Sequence, residues 1–189
     1  MKRIDVIREV ADKARDSDAL LIANIGIPCK ELYSVSDMPN NFYMLGSMGL
    51  ASSIGLGLAL SRPERNVITI DGDGSILMNM GTLATIASQA PQNYLLVIVD
   101  NGAYGSTGNQ PTATLNHVNL EEVAQGAGNR DVFEVDSLQR LHTILGEKDS
   151  GIIVAKAQPG NEDVPVIQMI PEAILSRFMA ESSRASRSV

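Results

Sequence analysis

Two polar turns, each following a short apolar run, are the segments of the sequence best equipped for chemistry. The first, at 72–75, reads Gly-Asp-Gly-Ser, and the second, at 100–102, reads Asp-Asn-Gly. One helical crossover fits between them, so both turns are expected at the same edge of a parallel sheet. There Asp73 offers a carboxylate oxygen and Asn101 an amide oxygen beside glycine-rich backbone. Two hard oxygens of this kind suit a Mg²⁺ ion that carries a diphosphate.

The Asp-Gly pair has a second interpretation, because Asp and Gly are also frequent in turns that merely end a strand. Two features favour a functional site: the spaced Asn101 and the upstream segment 46–49, Gly-Ser-Met-Gly. Ser75 also lies where the next helix is expected to begin, and a helix N-terminus attracts phosphate. The sequence therefore predicts a phosphate-bearing ligand at this edge.

The elements that position these turns are predicted from apolar runs and amphipathic stretches. Strands are expected at 19–23, 67–71, 94–99, 132–135 and 151–157, with loops at 24–28 and 34–45. Helices are expected at 2–15, 30–33 (one short turn), 48–61, 76–90, 119–126, 137–145 and 170–180, with Asn119 and Ser137 as caps. This alternation predicts an α/β fold, an open, mostly parallel sheet with helices on both faces. It forms one domain over 1–180, followed by a frayed tail at 181–189.

Composition and charge narrow the class of protein. A chain of 189 residues with 44% apolar and 20% charged residues is typical of one globular domain with a sizeable core. A net charge of −7 argues against nucleic acid as a partner. The single cysteine allows no intrachain disulfide, no apolar stretch approaches the ~20 residues of a membrane span, and the N-terminus lacks a signal-peptide pattern. We expect a cytoplasmic protein without a membrane partner.

Two blocks of sequence, 42–59 and 100–112, resemble the sulfopyruvate and phosphonopyruvate decarboxylases, which depend on thiamin diphosphate. The resemblance covers roughly residues 1–170. The chain length favours the beta subunit of the sulfopyruvate branch, which divides its enzyme between two chains. The sequence departs from the resembling pattern at Asp100, where the wider superfamily often has Asn, and at Lys30, where Arg is expected.

The resemblance implies a site for thiamin diphosphate and Mg²⁺. The implied metal ligands are the side chains of Asp73 and Asn101 and the carbonyl of Ala103. The residues implied in cofactor binding are Gly46, Ser47, Met48, Gly74, Ser75, Tyr104, Gly105 and Ser106. Among these, the Gly46 carbonyl is expected to accept a hydrogen bond from the 4′-amino group. Segments 74–75 and 105–106 are expected to offer backbone or hydroxyl donors to the diphosphate.

Catalytic roles are implied for Met48, Ser106 and Thr107. Met48 corresponds to a bulky apolar residue that holds the two cofactor rings in a V, although a Met on an apolar helix is commonly core filler. Ser106 and Thr107 either face the substrate or only close the loop. Asn24 and Lys30 follow the first strand, at the edge where α/β sheets bind ligands, and are candidate contacts for the substrate anion.

The activating glutamate of thiamin enzymes lies in a separate pyrimidine-binding domain, for which this chain has no room. The resemblance therefore implies a hetero-oligomer in which an alpha subunit supplies that glutamate. We expect the pair to convert 3-sulfopyruvate to sulfoacetaldehyde and CO₂, in coenzyme M biosynthesis or in sulfonate breakdown. Phosphonopyruvate or another 2-oxo acid is the alternative substrate.

Two alternatives come from other classes of protein. A nucleotide-binding or flavodoxin-like module would carry a Gly-x-Gly-x-x-Gly or Gly-x-x-x-x-Gly-Lys loop after its first strand, and the sequence has neither. A non-catalytic scaffold subunit would be expected to lose the metal pair, whereas Asp73 and Asn101 are both present.

Overall fold

The computed structural model describes residues 1–184, so the part of the predicted frayed tail at 185–189 lies outside the described residues. The strands are β1 Leu20–Ala23, β2 Asn41–Tyr43, β3 Val67–Gly72, β4 Tyr94–Asp100, β5 Ala103–Tyr104, β6 Gln110–Pro111, β7 Val132–Val135 and β8 Gly151–Lys156. The helices are α1 Arg3–Asp16, α2 Ile27–Val35, α3 Ala51–Ser61, α4 Asp73–Met78, α5 Gly81–Gln89, α6 Leu120–Gly126, α7 Leu138–Glu147 and α8 Pro171–Ser182. Short 3₁₀ turns occupy Gly105–Thr107 and Ala113–Leu115.

Six parallel strands in the order β2-β1-β3-β4-β8-β7 form the central sheet. Side chains of α1, α2 and α7 pack on one face, and side chains of α3, α5 and α6 pack on the other. Because both faces are covered, the central strands β3 and β4 are buried almost throughout, which explains why their runs are predominantly apolar. The predicted α/β fold is confirmed.

The pairing of β3 with β4 brings the two polar turns together. The strands are parallel neighbours, and Gly72 lies opposite Val99 at their carboxyl ends. The chain leaves β3 at Asp73 and returns to β4 after crossing one face of the sheet through α4 and α5. Asp73 and Asn101 therefore emerge side by side, as the spacing predicts.

The helix predicted at 48–61 begins only at Ala51, which is a correction to the predicted boundary. Met48 and Gly49 lie instead in a tight turn in which the Leu50 N–H donates to the Ser47 carbonyl at 3.1 Å. Gly49 has φ +92°, a value that L-residues rarely adopt, and this ends the helical pattern.

The helix predicted at 76–90 is divided into α4 and α5, which is a second correction. Asn79 lies at the break, and its amide donates to the Gly49 carbonyl at 3.0 Å and to the Ser53 hydroxyl at 3.1 Å. The backbone of Asn79, at φ −146° and ψ 52°, lies outside the helical region, and these bonds hold it there. The predicted loop 34–45 also contains β2, a three-residue edge strand too short to show a pattern.

The two predicted helix caps are confirmed. The side-chain oxygen of Asn119 accepts hydrogen bonds from the first turn of α6, and Ser137 accepts one from the first turn of α7. Helix α8 continues two residues past the predicted end at 180. The buried Arg65 donates to the carbonyls of Glu181 and Arg184, which ties this segment to the domain. Within residues 1–184 no helix is long and apolar enough to span a membrane.

Two glycines of α3 provide a matched test of how this helix packs. A Cβ on Gly55 would lie 2.0 Å from Thr69 Oγ1 and 2.8 Å from the Tyr94 ring, whereas a Cβ on Gly57 meets no heavy atom within 4 Å. We expect Gly55→Ala to destabilise the fold by about 1–3 kcal/mol because it overpacks the interface with the sheet. Gly57→Ala is expected to stabilise it by about 1 kcal/mol, since alanine favours helix.

Urea unfolding of both variants and of the parent chain measures this difference. Equal free energies of unfolding for the two variants would contradict the close contact of α3 with β3 and β4.

Candidate cofactor and metal site

A cleft opens at the carboxyl edge of the sheet, at the ends of β1, β3 and β4. Open parallel sheets bind their ligands at this edge. All the predicted site residues except Gly46, Ser47 and Lys30 line the cleft. The fold thus gathers into one place residues that are far apart in the sequence.

The three exceptions lie near the cleft in sequence but not in its lining. Gly46 and Ser47 are exposed in the loop between β2 and α3. Lys30 is partly buried on α2, so the structure does not bring this candidate substrate contact to the cleft. Asn24 does line the cleft, and its side-chain oxygen accepts the Ile25 N–H at 2.8 Å.

The three predicted metal ligands converge on one point. The side-chain oxygen of Asn101 lies 3.2 Å from Asp73 Oδ1 and 2.9 Å from the Ala103 carbonyl oxygen. Three oxygens this close repel one another unless a cation or a hydrogen-bond donor lies among them. Rotating the Asn101 amide by half a turn would supply such a donor, because its NH₂ group would then face both oxygens.

The spacing of these oxygens also fits a magnesium ion. With Mg–O bonds of about 2.1 Å, adjacent ligands of an octahedron are about 3 Å apart. The set consists of one carboxylate, one amide and one backbone carbonyl, all hard oxygen donors of the kind Mg²⁺ prefers. Across residues 1–184 there is no group of three or more His, Cys, Asp or Glu side chains that would hold a metal in another way.

The second oxygen of Asp73 fixes the orientation of this carboxylate. Oδ2 accepts hydrogen bonds from the hydroxyls of Thr112 and Thr114, which leaves Oδ1 facing Asn101. Burial raises the pKa of Asp73, although both hydroxyls favour its charged form. The carboxylate is thus held rigidly, with one oxygen free for a cation.

Asp100, the departure from the superfamily's usual Asn, belongs to a different set of contacts. Its Oδ1 accepts from Thr114 at 2.7 Å, and its Oδ2 accepts from Lys156 Nζ at 2.6 Å. Lys156 lies opposite Asp100 in the pairing of β4 with β8. This lysine, which nothing in the local sequence connects to residue 100, explains how a buried carboxylate is accommodated there.

The hydroxyl of Ser75 has structural partners, so of the two donors predicted at this position, backbone or hydroxyl, the hydroxyl is already engaged. It accepts the Gly49 N–H at 2.9 Å and bonds to the carboxylate of Asp71. The prediction of a diphosphate donor at this position therefore concerns the backbone N–H in the first turn of α4. Asp71 also accepts the Ser52 N–H at 3.3 Å, and burial raises the pKa of its carboxyl to about 6. Asp71 was not among the predicted site residues, although a carboxylate at the end of an apolar strand is a feature that the sequence shows.

Met48 projects from a turn that is held on both sides. The Gly49 N–H donates to Ser75, and the Gly49 carbonyl accepts from Asn79. The Met48 side chain is partly buried and lines the cleft. It is therefore not core filler within a helix, and its position agrees with the predicted contact with a cofactor.

The loop after β4 closes one side of the cleft. A Cβ on Gly74 would lie 2.3 Å from the Tyr104 ring, so this ring rests directly on the Gly-Asp-Gly turn. The Thr107 hydroxyl contacts Gln110 at 2.9 Å, which favours the loop-closing interpretation of Thr107. Ser106 lies against Gly26, across the cleft from its own strand.

Arg3 is a cleft residue that the sequence reasoning missed. Its side chain is only 7% exposed, and it pairs with Glu31 through Nε–Oε2 at 2.8 Å and Nη2–Oε1 at 2.9 Å. In the sequence, Arg3 is only one of several charges between the apolar positions of the helix predicted at 2–15. Glu31 lies 28 residues further along the chain, and nothing in the sequence around it indicates the pairing with Arg3.

A match to a family model places the chain in the class of enzymes that use thiamin diphosphate. The family model "Thiamine pyrophosphate enzyme, C-terminal TPP binding domain" matches residues 25–148. An X-ray structure described as a thiamin diphosphate-dependent enzyme from Mycobacterium smegmatis superposes with a TM-score of 0.69. It is 20% identical and covers 85% of this chain and 32% of that chain, so the likeness concerns the fold.

Sequence relatives narrow the class. The chain is 50% identical to the sulfopyruvate decarboxylase subunit beta of Methanocaldococcus jannaschii, over 97% of this chain and 98% of that protein. It is 44% identical to a sulfopyruvate decarboxylase of Methanosarcina acetivorans (94% and 46%) and 38% identical to a phosphonopyruvate decarboxylase of Streptomyces viridochromogenes (86% and 42%). The chain therefore belongs to the thiamine pyrophosphate enzymes and, within them, to the family of sulfopyruvate decarboxylase beta subunits.

Proposed function

We propose that this chain is the diphosphate-binding subunit of a decarboxylase that acts on 3-sulfopyruvate with thiamin diphosphate and Mg²⁺. The observation that carries the proposal is the convergence of three oxygens from Asp73, Asn101 and Ala103, at the spacing of an octahedral magnesium site. When bound, the cofactor supplies the electron sink that decarboxylation of a 2-oxo acid needs.

The chain's own residues hold and orient that cofactor. Asp73, Asn101 and the Ala103 carbonyl bind the metal and, through it, the diphosphate. Gly74 and Gly105 line the same cleft, and their backbone N–H groups are the proposed donors to phosphate oxygens. Met48 supports the cofactor rings from the turn that Ser75 and Asn79 hold in place.

The choice of substrate rests on the relatives. Those of higher identity, at 50% and 44%, are named sulfopyruvate decarboxylases, and the phosphonopyruvate decarboxylase is more distant at 38%. Both substrates are small anionic 2-oxo acids that differ in one group, a sulfonate or a phosphonate, so the contact with that group would decide which one is preferred. Sulfopyruvate is therefore the first substrate to test and phosphonopyruvate the second.

The partner is proposed to be a second subunit that carries the pyrimidine-binding half of the enzyme and its activating glutamate. The Methanosarcina relative is a single chain of which this chain covers 46%, whereas the beta subunit of M. jannaschii is covered almost completely. The remainder of the longer chain corresponds to what a separate subunit must provide.

An apolar surface beside the cleft suits this partner. It is formed by Leu50, Ile54, Met78 and Met80, whose exposed fractions are 43%, 38%, 62% and 44%. The hydrogen bonds from Asn79 to Gly49 and Ser53 hold the two parts of this surface together. Exposed apolar patches of this kind mark interfaces, and this one adjoins the turn that presents Met48.

Co-expression with the partner subunit tests the function. We expect CO₂ release from 3-sulfopyruvate only when both chains, thiamin diphosphate and Mg²⁺ are present, with slower or no release from phosphonopyruvate and pyruvate. Either chain alone serves as the control. Absence of CO₂ from every 2-oxo acid, with intact complex and bound cofactor, would favour a scaffold subunit. Calorimetric binding of nucleotides rather than thiamin diphosphate would favour the nucleotide-binding alternative.

A further inference from the structure

Arg3 is held in the wall of the cleft with one nitrogen left over. Its Nε and Nη2 bond to Glu31, and Nη2 also donates to the Gly160 carbonyl at 3.1 Å and to Asn161 Oδ1 at 2.9 Å. None of these four bonds uses Nη1, which lies 3.3 Å from the amide of Asn101. The buried ion pair thus fixes the guanidinium while one end remains directed at the metal loop.

The orientation of the Asn101 amide decides whether its nitrogen or its oxygen faces Arg3 Nη1. In the structure the amide oxygen faces Asp73 and Ala103, and the amide nitrogen faces Arg3 Nη1, so that two donors stand against each other. The reverse orientation gives both ends of the amide a partner without a ligand, but it gives up the bond from the Ala103 N–H to the Asn101 oxygen at 3.3 Å. A metal among the three oxygens stabilises the first orientation, because the amide oxygen is then needed as a ligand.

Two donors that face each other need an acceptor, and the charge of the cleft indicates which kind. Within the part of the chain that the structure describes, Arg3 is the one basic side chain among the residues lining the cleft. The same lining contains the carboxylates of Asp71 and Asp73. An oxyanion that enters this cleft therefore finds its only fixed organic cation at Arg3, and charged hydrogen bonds to guanidinium are strong.

We propose that Arg3 Nη1 and the side-chain nitrogen of Asn101 together form an oxyanion-binding pair, which is assembled when a divalent cation holds the Asn101 oxygen. The proposal rests on the proposed function, because the cation is the one assigned to Asp73, Asn101 and Ala103. The ligand is an oxyanion, either a phosphate oxygen of the cofactor or the carboxylate or sulfonate of the substrate. Metal binding and anion binding are coupled through a single amide group.

Substitution at Arg3 must not leave Glu31 buried and unpaired, since that alone would destabilise the fold. The double variant Arg3→Gln with Glu31→Gln removes both charges, and Arg3→Lys keeps the positive charge but loses the fork of the guanidinium. Arg177→Lys is the matched control, because Arg177 also binds a carboxylate with two nitrogens, at Asp37, away from the cleft. Thermal unfolding reports whether each variant is folded.

The complex of full-length chain and partner subunit is titrated with thiamin diphosphate in the presence of Mg²⁺, and KM is measured for 3-sulfopyruvate. We expect the double variant either to bind thiamin diphosphate at least about 10-fold more weakly or to show a KM for 3-sulfopyruvate that is raised at least about 10-fold, which is the scale of one charged hydrogen bond. Arg3→Lys is expected to be intermediate and Arg177→Lys unchanged. A loss of cofactor affinity identifies a diphosphate oxygen as the ligand, and a raised KM identifies the substrate anion. No change in either quantity in folded variants overturns the proposal.

Nuclear magnetic resonance of the parent chain gives a test that needs no folded variant at Arg3. We expect inorganic diphosphate with Mg²⁺, or 3-sulfopropionate with Mg²⁺ and thiamin diphosphate, to shift both the Asn101 side-chain NH₂ signals and the Arg3 Nε signal. Signals at Arg3 that stay unchanged under both conditions overturn the proposal. If the parent complex binds no thiamin diphosphate by calorimetry, the proposed function itself fails, and the two failures are distinguished.

Discussion

Replacing Asp73 with alanine is expected to lower the affinity for thiamin diphosphate in the presence of Mg²⁺ by at least about 100-fold, more than loss of a residue that only supports a ligand. The reason is that Asp73 Oδ1 is the one charged oxygen among the three proposed metal ligands, so its loss removes the negative charge that would balance the metal. The fold is expected to persist, because Thr112 and Thr114 remain bonded to each other and Thr114 to Asp100. Calorimetric titration at fixed Mg²⁺ concentration measures the change.

Asp100→Asn is the matched control for this prediction. The Asp100 carboxylate lies at the end of β4, is as buried as that of Asp73 and also accepts from Thr114. It bonds to Lys156, however, and is not one of the proposed metal ligands. We expect the control to keep cofactor affinity within a few-fold. If both variants lost cofactor affinity to a similar extent, the hydrogen-bonded carboxylates of Asp73 and Asp100 would act together. An unchanged affinity in Asp73→Ala would remove Asp73 from the proposed metal ligands.

The meeting of Asp73 and Asn101 at one edge of the sheet was predictable from sequence because it depends on topology alone. The runs before Asp73 and Asn101 are predominantly apolar and almost entirely buried, as strands covered on both faces must be. One crossover between them makes the strands parallel neighbours, which brings their ends to one edge. The position of a turn after a strand is thus encoded locally, and the pairing follows from the length of the connection.

The supporting contacts were not predictable, because each joins residues that are distant in the sequence. Lys156 reaches Asp100 only because β8 pairs with β4, and Arg3 reaches the cleft only because α1 packs beside α2. The helix that begins at Ala51 does not extend back to Met48, because Gly49 has a positive φ and its N–H bonds to Ser75, 26 positions further along the chain. Sequence patterns report the periodicity of an element, whereas these contacts are fixed by how elements pack.

Met48→Ala is expected to leave cofactor affinity within a few-fold of the parent value but to slow exchange of the cofactor's C2 proton by about 100-fold. Affinity is expected to be retained because the diphosphate is proposed to be held through the metal ligands Asp73, Asn101 and Ala103, to which Met48 does not belong. Exchange slows because the family resemblance assigns to this side chain the support that keeps the two cofactor rings in reacting contact. A misplacement of about 1 Å between reacting groups costs about that factor.

The exchange rate is measured by proton NMR after dilution of the complex into D₂O, with cofactor bound. Met48→Leu is the conservative variant and is expected to keep most of the rate, because it restores apolar bulk at the same turn. Met179→Ala, on α8 and 53% exposed, controls for loss of a methionine elsewhere. If Met48→Ala exchanges as fast as the parent complex, the turn that Ser75 and Asn79 hold has no part in activating the cofactor, and its role is confined to the fold.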